Sequence, residues 1–460
     1  MKHGTGLVAL VVAAVLVAAA IAAARLGPAD PREGPAGVAR SGTWLCPHGG
    51  DRGWTGTVTL ANPGTTDVDV RLTSLGDGPP RRIGNVTVAP GTQVVEGIDA
   101  RGAGAATYVE YFGGWVGAGW MVRADDPDVG IGTEPCASSA SPDWFTAETP
   151  TTEGQRASLI VMNPFATAAV IDVVVYSPSR PPLRDERLTD LVIRSGRSIA
   201  ISLDELVLGE ASVATHVVAK VGRVAVSTLG VTDGGGVRSV LGATGAATAL
   251  ALATGSGSGQ TQLVTFVPGD EALRFGALVL SEPIEGEETG AGGGLAEVEQ
   301  AGVSTLVSPI PTVGASLIEV SSFGELPLVA ALRADGQAGD DAATGAATAA
   351  TTWIVPPTVA DDPARPFVVI ANPGGAPATV SVMVLTGEGA GSPVSLTIEP
   401  RSVAPVPAEL LRDDPTASVF VTADAPVIAL GASTSAGVKG LSLFGLSIGV
   451  PVPAWAFPGA

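Results

Sequence analysis

Three histidines offer the usual acid–base chemistry, His3, His48 and His216. His48 follows Cys46 in what reads as a turn. His216 lies in "ATHVVAK", a strand pattern in which a structural or surface role is expected. One G-x-S-x-G, "GLSIG" over Gly445–Gly449, puts Ser447 where a hydrolase nucleophile would stand. That elbow needs a helix directly after the serine and a histidine later in the chain. Here "VPVPAWAFPGA" follows, with neither. P-loop, H-E-x-x-H and EF-hand patterns are absent. The acidic pairs Asp125-Asp126, Asp340-Asp341, Asp361-Asp362 and Asp413-Asp414 could serve as glycosidase carboxylates or calcium ligands. Calcium needs about six to eight oxygens from one constellation, and none is spelled out. Solvation of turns is the expectation for these pairs. No catalytic residue, cofactor site or metal site is assigned, and the chain reads as a non-enzyme.

"TYVEYFGGWVGAGW" (Thr107–Trp120) is the most unusual stretch. Its Tyr108, Tyr111, Trp115 and Trp120 form a candidate ligand surface, because exposed aromatics stack on sugar rings or anchor protein partners. The competing expectation is an aromatic core for this part of the chain.

These residues sit in a repeat. "TLANPGTTDVDV" (Thr59–Val70) returns as "VIANPGGAPATV" (Val369–Val380). "LIVMNPFATAAVIDVVV" and "LVTFVPGDEALRFGALV" supply two further copies. Pro63, Pro164, Pro268 and Pro373 stand 101, 104 and 105 residues apart. After each proline, apolar residues alternate at matched offsets: Val68, Val70 and Leu72 in the first copy, and Ala378, Val380, Val382 and Val384 in the fourth. Period-two alternation is a half-buried strand. The Asn-Pro-Gly reads as punctuation between two strands, because Phe165 replaces the glycine and Val267 the asparagine in other copies.

Each copy holds six or seven short strands in about 100 residues, which suits a β-sandwich. The expected fold is all-β: an N-terminal transmembrane helix followed by four tandem immunoglobulin-like β-sandwich modules. Expected bounds are 1–25 for the helix, 26–42 for a Pro/Gly-rich stalk, and 43–150, 151–245, 260–338 and 353–460 for the modules, the third degenerate. Tryptophans mark the borders at Trp44, Trp144, Trp353 and Trp455, and "TALALATG" stands where one near residue 248 is missing. Four modules with five border sites leave one border strand over. It either closes the last module or returns to the first and closes a ring, and the first reading is the simpler. The Gly/Ala-rich segments 242–260 and 336–352 read as flexible linkers.

The net charge of -20 and the absence of a basic cluster exclude nucleic acid as a partner. Aromatics are 4% of residues, so cores must be built from aliphatic side chains. Three Lys against 22 Arg, with abundant Ala, Gly and Pro, suggest a GC-rich bacterial genome. Lys2 precedes an uncharged apolar run from Gly6 to Ala24, long enough as a helix to cross ~30 Å of hydrocarbon. A retained anchor with the bulk of the chain outside the cytoplasm is expected, and secretion after cleavage near Ala22–Ala24 is the alternative. In that compartment Cys46 and Cys136 most simply form one disulfide. A metal would need three or four ligands, and His48 is the only histidine nearby.

The Trp, the "NP", the alternating strand and the Ser-led strand ending in an acidic residue, with the "WLCP" start, resemble the "NPG"-type repeats of a family of uncharacterised, membrane-anchored exported proteins of high-GC Gram-positive bacteria. The resemblance runs from about Gly42 to the end. It implies an extracytoplasmic β-rich protein and no enzymatic activity. The function expected is therefore a structural or interaction protein of the cell envelope, its partners the membrane and an envelope polysaccharide or envelope protein. Carbohydrate binding through the module-one aromatics is the alternative, and a glycosidase the third reading.

Overall fold

The computed structural model describes residues 41–124, 130–233, 236–254, 259–281, 291–312, 315–336, 339–346, 348–358, 365–434, 444–453 and 456. The expected anchor, most of the stalk, Asp125-Asp126, Asp361-Asp362 and Trp455 lie outside them. Among the described residues no helix is long and apolar enough to cross a membrane.

The first sandwich has eight strands: β1 (Ser41–Cys46), β2 (Thr55–Asn62), β3 (Val68–Leu75), β4 (Arg81–Val88), β5 (Thr92–Ile98), β6 (Ala106–Phe112), β7 (Gly117–Ala124) and β8 (Gly130–Pro135). They form two antiparallel sheets, β1-β6-β3-β4 and β5-β2-β7-β8. The second sandwich repeats this order with β9 (Asp143–Thr146), β10 (Gln155–Asn163), β11 (Ala169–Tyr176), β12 (Leu191–Ile193), β13 (Arg197–Ser202), β14 (Ala214–Val221), β15 (Ala225–Thr232) and β16 (Val237–Leu241). The third does so with β17 (Ala249–Thr254), β18 (Gly259–Val267), β19 (Leu273–Ser281), β20 (Ala291–Gln300), β21 (Ser304–Ile310), β22 (Ser316–Ser322), β23 (Val329–Gly336) and β24 (Gly339–Thr344). The fourth uses β25 (Ala350–Val355), β26 (Arg365–Asn372), β27 (Ala378–Leu385), β28 (Val394–Ile398), β29 (Ser402–Pro405), β30 (Ser418–Thr434), β31 (Phe444–Ile448) and β32 (Val450–Pro451). Here the sixth and seventh strands fuse into the long β30, which pairs in both layers.

The alternation read from sequence is the cause of the layering. Val68, Val70 and Leu72 point into the core while Asp69 and Arg71 face out, and Val380, Val382 and Val384 repeat this in the fourth sandwich. The border strand opens each sandwich. Trp44, Trp144 and Trp353 are buried, and each indole N–H donates to the carbonyl at the head of the seventh strand: Val116 at 2.7 Å, Val224 at 2.7 Å and Val427 at 2.9 Å. Leu250 fills the place of the missing tryptophan, by register with Val320. The carbonyl of Leu328 has no indole but still accepts the backbone N–H of Ala247, as Val224 O accepts that of Ser141 beside the Trp144 indole.

Two expectations change. The segments read as flexible linkers contain β17, β24 and the start of β25, so the third sandwich has its full eight strands and reaches beyond 260–338. Their small residues mislead because Ala342 and Ala343 of β24 are fully buried, where bulk has no room. The second is ring closure, set aside above as the less simple reading: the four sandwiches close on one another, while the left-over border strand at Trp455 lies outside the described residues. The eighth strands meet at its centre, β8 beside β16 and β31, and β24 beside β16 and β31.

The seams explain the closure. Three residues after each border tryptophan the chain leans on the seventh strand of the next sandwich. Ser227 Oγ donates to the Pro47 carbonyl, Ala147 packs with Val329 and Ala331, and Pro356 packs on Gly119. The last of these joins the fourth sandwich to the first. A second recurring contact is a backbone bond. Ser198 N–H donates to Gly76 O at 3.1 Å between the first two sandwiches, and Gln93 N–H donates to Thr386 O at 2.9 Å across the closing seam. The Gln93 side chain adds bonds to Thr416 O and Ser418 N–H. Glu148 and Arg333 form a buried ion pair at 3.2 Å between the second and third sandwiches.

Candidate functional site

The residues singled out for chemistry are mostly interior. Tyr111, Trp115 and Trp120 are buried, and Tyr108 is half-buried. Trp115 sits edge-on to Trp44 with ring centroids 5.9 Å apart. Trp120 Nε1 donates to Ser239 Oγ of the second sandwich at 3.1 Å. Burial pushes the Tyr108 and Tyr111 phenols above their usual range. A sugar ring needs an open aromatic face, and Tyr111, Trp115 and Trp120 do not present one. They build the first core and its seam: Tyr111 takes an inward position of β6, Trp115 in the β6–β7 connection packs on Trp44, and Trp120 of β7 reaches the second sandwich.

Cys46 and Cys136 are joined by a disulfide. Cys136 occupies the position of Gly242, Gly345 and Gly449, and all four N–H groups donate to the seventh strand, at 2.9–3.0 Å. A Cβ at Gly242 or Gly449 would stand 3.0 or 3.1 Å from the border tryptophan ring. The first sandwich instead ties that position covalently to the strand carrying Trp44.

His48 is fully buried beside the disulfide. Its Nδ1 lies 2.7 Å from the Gly49 carbonyl and its Nε2 3.0 Å from Thr107 Oγ1. Burial lowers its pKa to about 4, against the raising effects of the Gly49 bond and the Asp99 charge. The neutral ring thus donates from Nδ1 and accepts from the Thr107 hydroxyl at Nε2. Gly49 next to it, at φ +67°, leaves no room for a Cβ against Leu229 and Ile160 of the second sandwich. His216 stacks on Phe145 with centroids 4.2 Å apart, its Nε2 3.2 Å from Asp143 Oδ1. Ser447 lies in β31, paired with Gly431, so its backbone is extended strand rather than an elbow. Asp414 caps its own turn, accepting from the Thr416 N–H at 3.0 Å. Among the described residues no group of three or more His, Cys, Asp or Glu is placed to hold a metal.

The asparagine of the repeated phrase is a buried staple. Asn62, Asn163 and Asn372 are 0% exposed. In each, Oδ1 accepts the N–H two residues on, and Nδ2 donates to the turn carbonyl four residues on and to the end of the fourth strand. The third sandwich has Val267 there and moves the amide across the pair. Gln300, at the end of β20, donates to Thr265 O and Ser304 O and accepts from Thr265 Oγ1. Sequence reasoning saw the missing asparagine but not its replacement, which only the register Leu273–Gln300 brings into view.

At the ring centre a cavity of about 360 Å³ opens between the ends of the eighth strands. Residues of all four sandwiches line it, including Cys136, Gly242, Gly345 and Gly449. The three border indoles at its wall spend their N–H groups on backbone carbonyls.

The model of a family of unknown function (DUF5719) matches residues 107–337, half of the 460-residue chain, and the chain belongs to that family. The match begins in β6 and ends past β23, so it spans two seams of the ring rather than one sandwich. No curated protein matches the sequence. A solved structure, a tetra-tandem repeat in the extending region of a large adhesion protein, aligns over 90% of this chain and 100% of its own, at 11% identity and a TM-score of 0.11. That superposition is too poor to relate the two architectures.

Proposed function

We propose that this DUF5719 member is a non-enzymatic structural and interaction protein of the bacterial cell envelope, exported and held by its N-terminal apolar segment, with the closed ring as its working part. Ring closure is the observation that carries the reading. A chain that buries His48, its disulfide and six of its seven tryptophans in cores and seams has invested these side chains in rigidity. What remains outside is a polar, acidic surface on a stiff body, which suits presentation of binding faces at a fixed geometry. The apolar run Gly6–Ala24 and the disulfide support an extracytoplasmic location.

Fractionation of the producing cell, followed by N-terminal sequencing, tests the location. The chain is expected in the membrane fraction with its first 24 residues intact. A soluble protein beginning after Ala24 refutes the anchor, and a cytoplasmic one refutes the envelope reading altogether. Cross-linking in living cells followed by capture tests the interaction role. Envelope components are expected as the captured species, and a protein that captures nothing refutes it.

A further inference from the structure

Eight large apolar side chains are exposed among the described residues, and three of them share one place in the repeat. Phe112 is 40% exposed, Val221 55% and Phe323 57%. These are one position of the repeat. Phe112 and Val221 end the sixth strand and Phe323 directly follows it, each opposite the residue six after the repeat proline: Phe112 opposite Asp69, Val221 opposite Val170, and Phe323, whose N–H donates to Arg274 O. Asp424 follows the same strand in the fourth sandwich, accepting from Thr379 N–H. The position lies on the outer face of the sheet formed by the first, sixth, third and fourth strands, at the end of the sixth strand away from Tyr108, which packs against the second core; in the third sandwich Arg401 of the fourth borders it. Packing of the ring gives no reason for an aromatic there, yet the first and third sandwiches, opposite each other across the axis, both carry one.

Each phenylalanine borders a shallow groove of about 390 Å³ on that face. In the first sandwich the groove runs over Asp69, Arg71, Arg82, Asn85 and Thr87. The Arg71 guanidinium stands 5.6 Å from the Phe112 ring centroid and 3.5 Å from Glu110. In the third sandwich Gly276 takes the place of Arg71, and Phe323 lies against it: a Cβ at Gly276 would meet the ring at 2.9 Å. Leu278 and Ser321 continue that groove, and Arg401 reaches in from the fourth sandwich to Glu319 at 2.6 Å.

We propose that these two outer faces bind a neutral polysaccharide, with Phe112 and Phe323 as the rings on which sugar units stack. The chemistry on each face is an aromatic ring beside planar and hydroxyl groups that both donate and accept, which matches the C–H face and the hydroxyl edge of a pyranose. Charge decides the class of sugar. The chain carries -20 overall, so an anionic polymer is repelled at long range. Arg71 is paired with Glu110, Arg401 with Glu319 and Arg274 with Glu297, while Arg82, bonded to Asn85, shares the first groove with the Asp69 carboxylate, leaving no net positive charge around either ring to attract one. A neutral polymer meets neither obstacle. Two faces on a rigid body also suit a repeating ligand, since a second contact on the same chain adds avidity without a new site.

This deepens the reading of the ring as an interaction scaffold and rests on it. The test is affinity electrophoresis of the full chain in mild detergent, through gels containing dextran, mannan, galactan or, as the anionic probe, polygalacturonate. The wild type is expected to be retarded by at least one neutral polymer. Phe112→Ala and Phe323→Ala each weaken that binding roughly tenfold or more by removing the second contact, and the double variant migrates as in a sugar-free gel. Val221→Ala leaves retardation unchanged. Both phenylalanines are solvent-exposed, and unchanged thermal unfolding of the variants separates loss of binding from loss of fold. A folded wild type that ignores all three neutral polymers overturns the proposal while leaving the scaffold reading in place. So does a double variant that binds like the wild type, or retardation by polygalacturonate alone.

Discussion

Asn163→Val in the second sandwich probes the logic of the repeat. Asn163 is fully buried, and its Nδ2 donates to Thr167 O at 2.8 Å, Ile193 O at 3.0 Å and Arg194 O at 3.2 Å, while Oδ1 accepts from Phe165 N–H at 3.1 Å. Valine has a similar volume and is what the third sandwich carries as Val267, so no large cavity forms. The cost is the hydrogen bonds. At about 1 kcal/mol for each bond lost, and with buried groups left without partners, the variant should lose about 3 kcal/mol. The repair is written elsewhere in the chain. Adding Ile193→Gln and Val161→Thr reproduces Val267, Gln300 and Thr265, and should restore more than half of the loss. Hydrogen exchange of β10, β11 and β12, read against urea, measures both changes. A loss below about 1 kcal/mol, or a triple variant no more stable than Asn163→Val alone, refutes the staple and with it the claim that Gln300 replaces it.

Three further outcomes follow from the seams and the first sandwich. Gly119→Val places a Cβ 2.6 Å from the Pro356 ring; the overpacking should cost about 1–3 kcal/mol and raise exchange along β5, β7 and Thr386, while Ala147 and Phe266 in the second seam stay protected. Cys46→Ser with Cys136→Ser opens a loop of 90 residues, and thermal or urea unfolding should show a loss of about 2–5 kcal/mol confined to the first sandwich. His48 is neutral in the fold with a pKa of about 4 against the ordinary 6.5. The unfolded chain therefore binds the extra proton between those values, and stability should fall as pH drops from 6.5 to 4, by up to about 3 kcal/mol, with His48→Gln flattening that part of the profile.

Much of the sandwich was legible because its causes are local. Period-two alternation after each proline is set within a few positions, and the border tryptophans and turn residues recur at fixed offsets from it, so the strands fell where they pointed. The ring was not legible, for a physical reason. Its recurring seam bonds, Ser198 to Gly76 and Gln93 to Thr386, run between backbone atoms and leave no signature in residue type. Of the central strands β24 is made of small residues, its Ala342 and Ala343 buried, and small residues read as linker. The aromatic stretch misled in the opposite way. Composition cannot tell an inward side chain from an outward one, so the buried Trp115 and Trp120 looked like a surface. Phe112, four residues beyond the half-buried Tyr108 on the same face of the strand, is the ring that faces out. Its kinship with Phe323 appears only once the sixth strands are set in register.

Small-angle X-ray scattering of the chain freed of its first 40 residues tests ring closure most directly. A closed ring of this length should give a radius of gyration of about 22–25 Å, near that of one compact body. Four sandwiches in a row, each about 13 Å in radius of gyration, would give about 40 Å, and that value would contradict the closed ring.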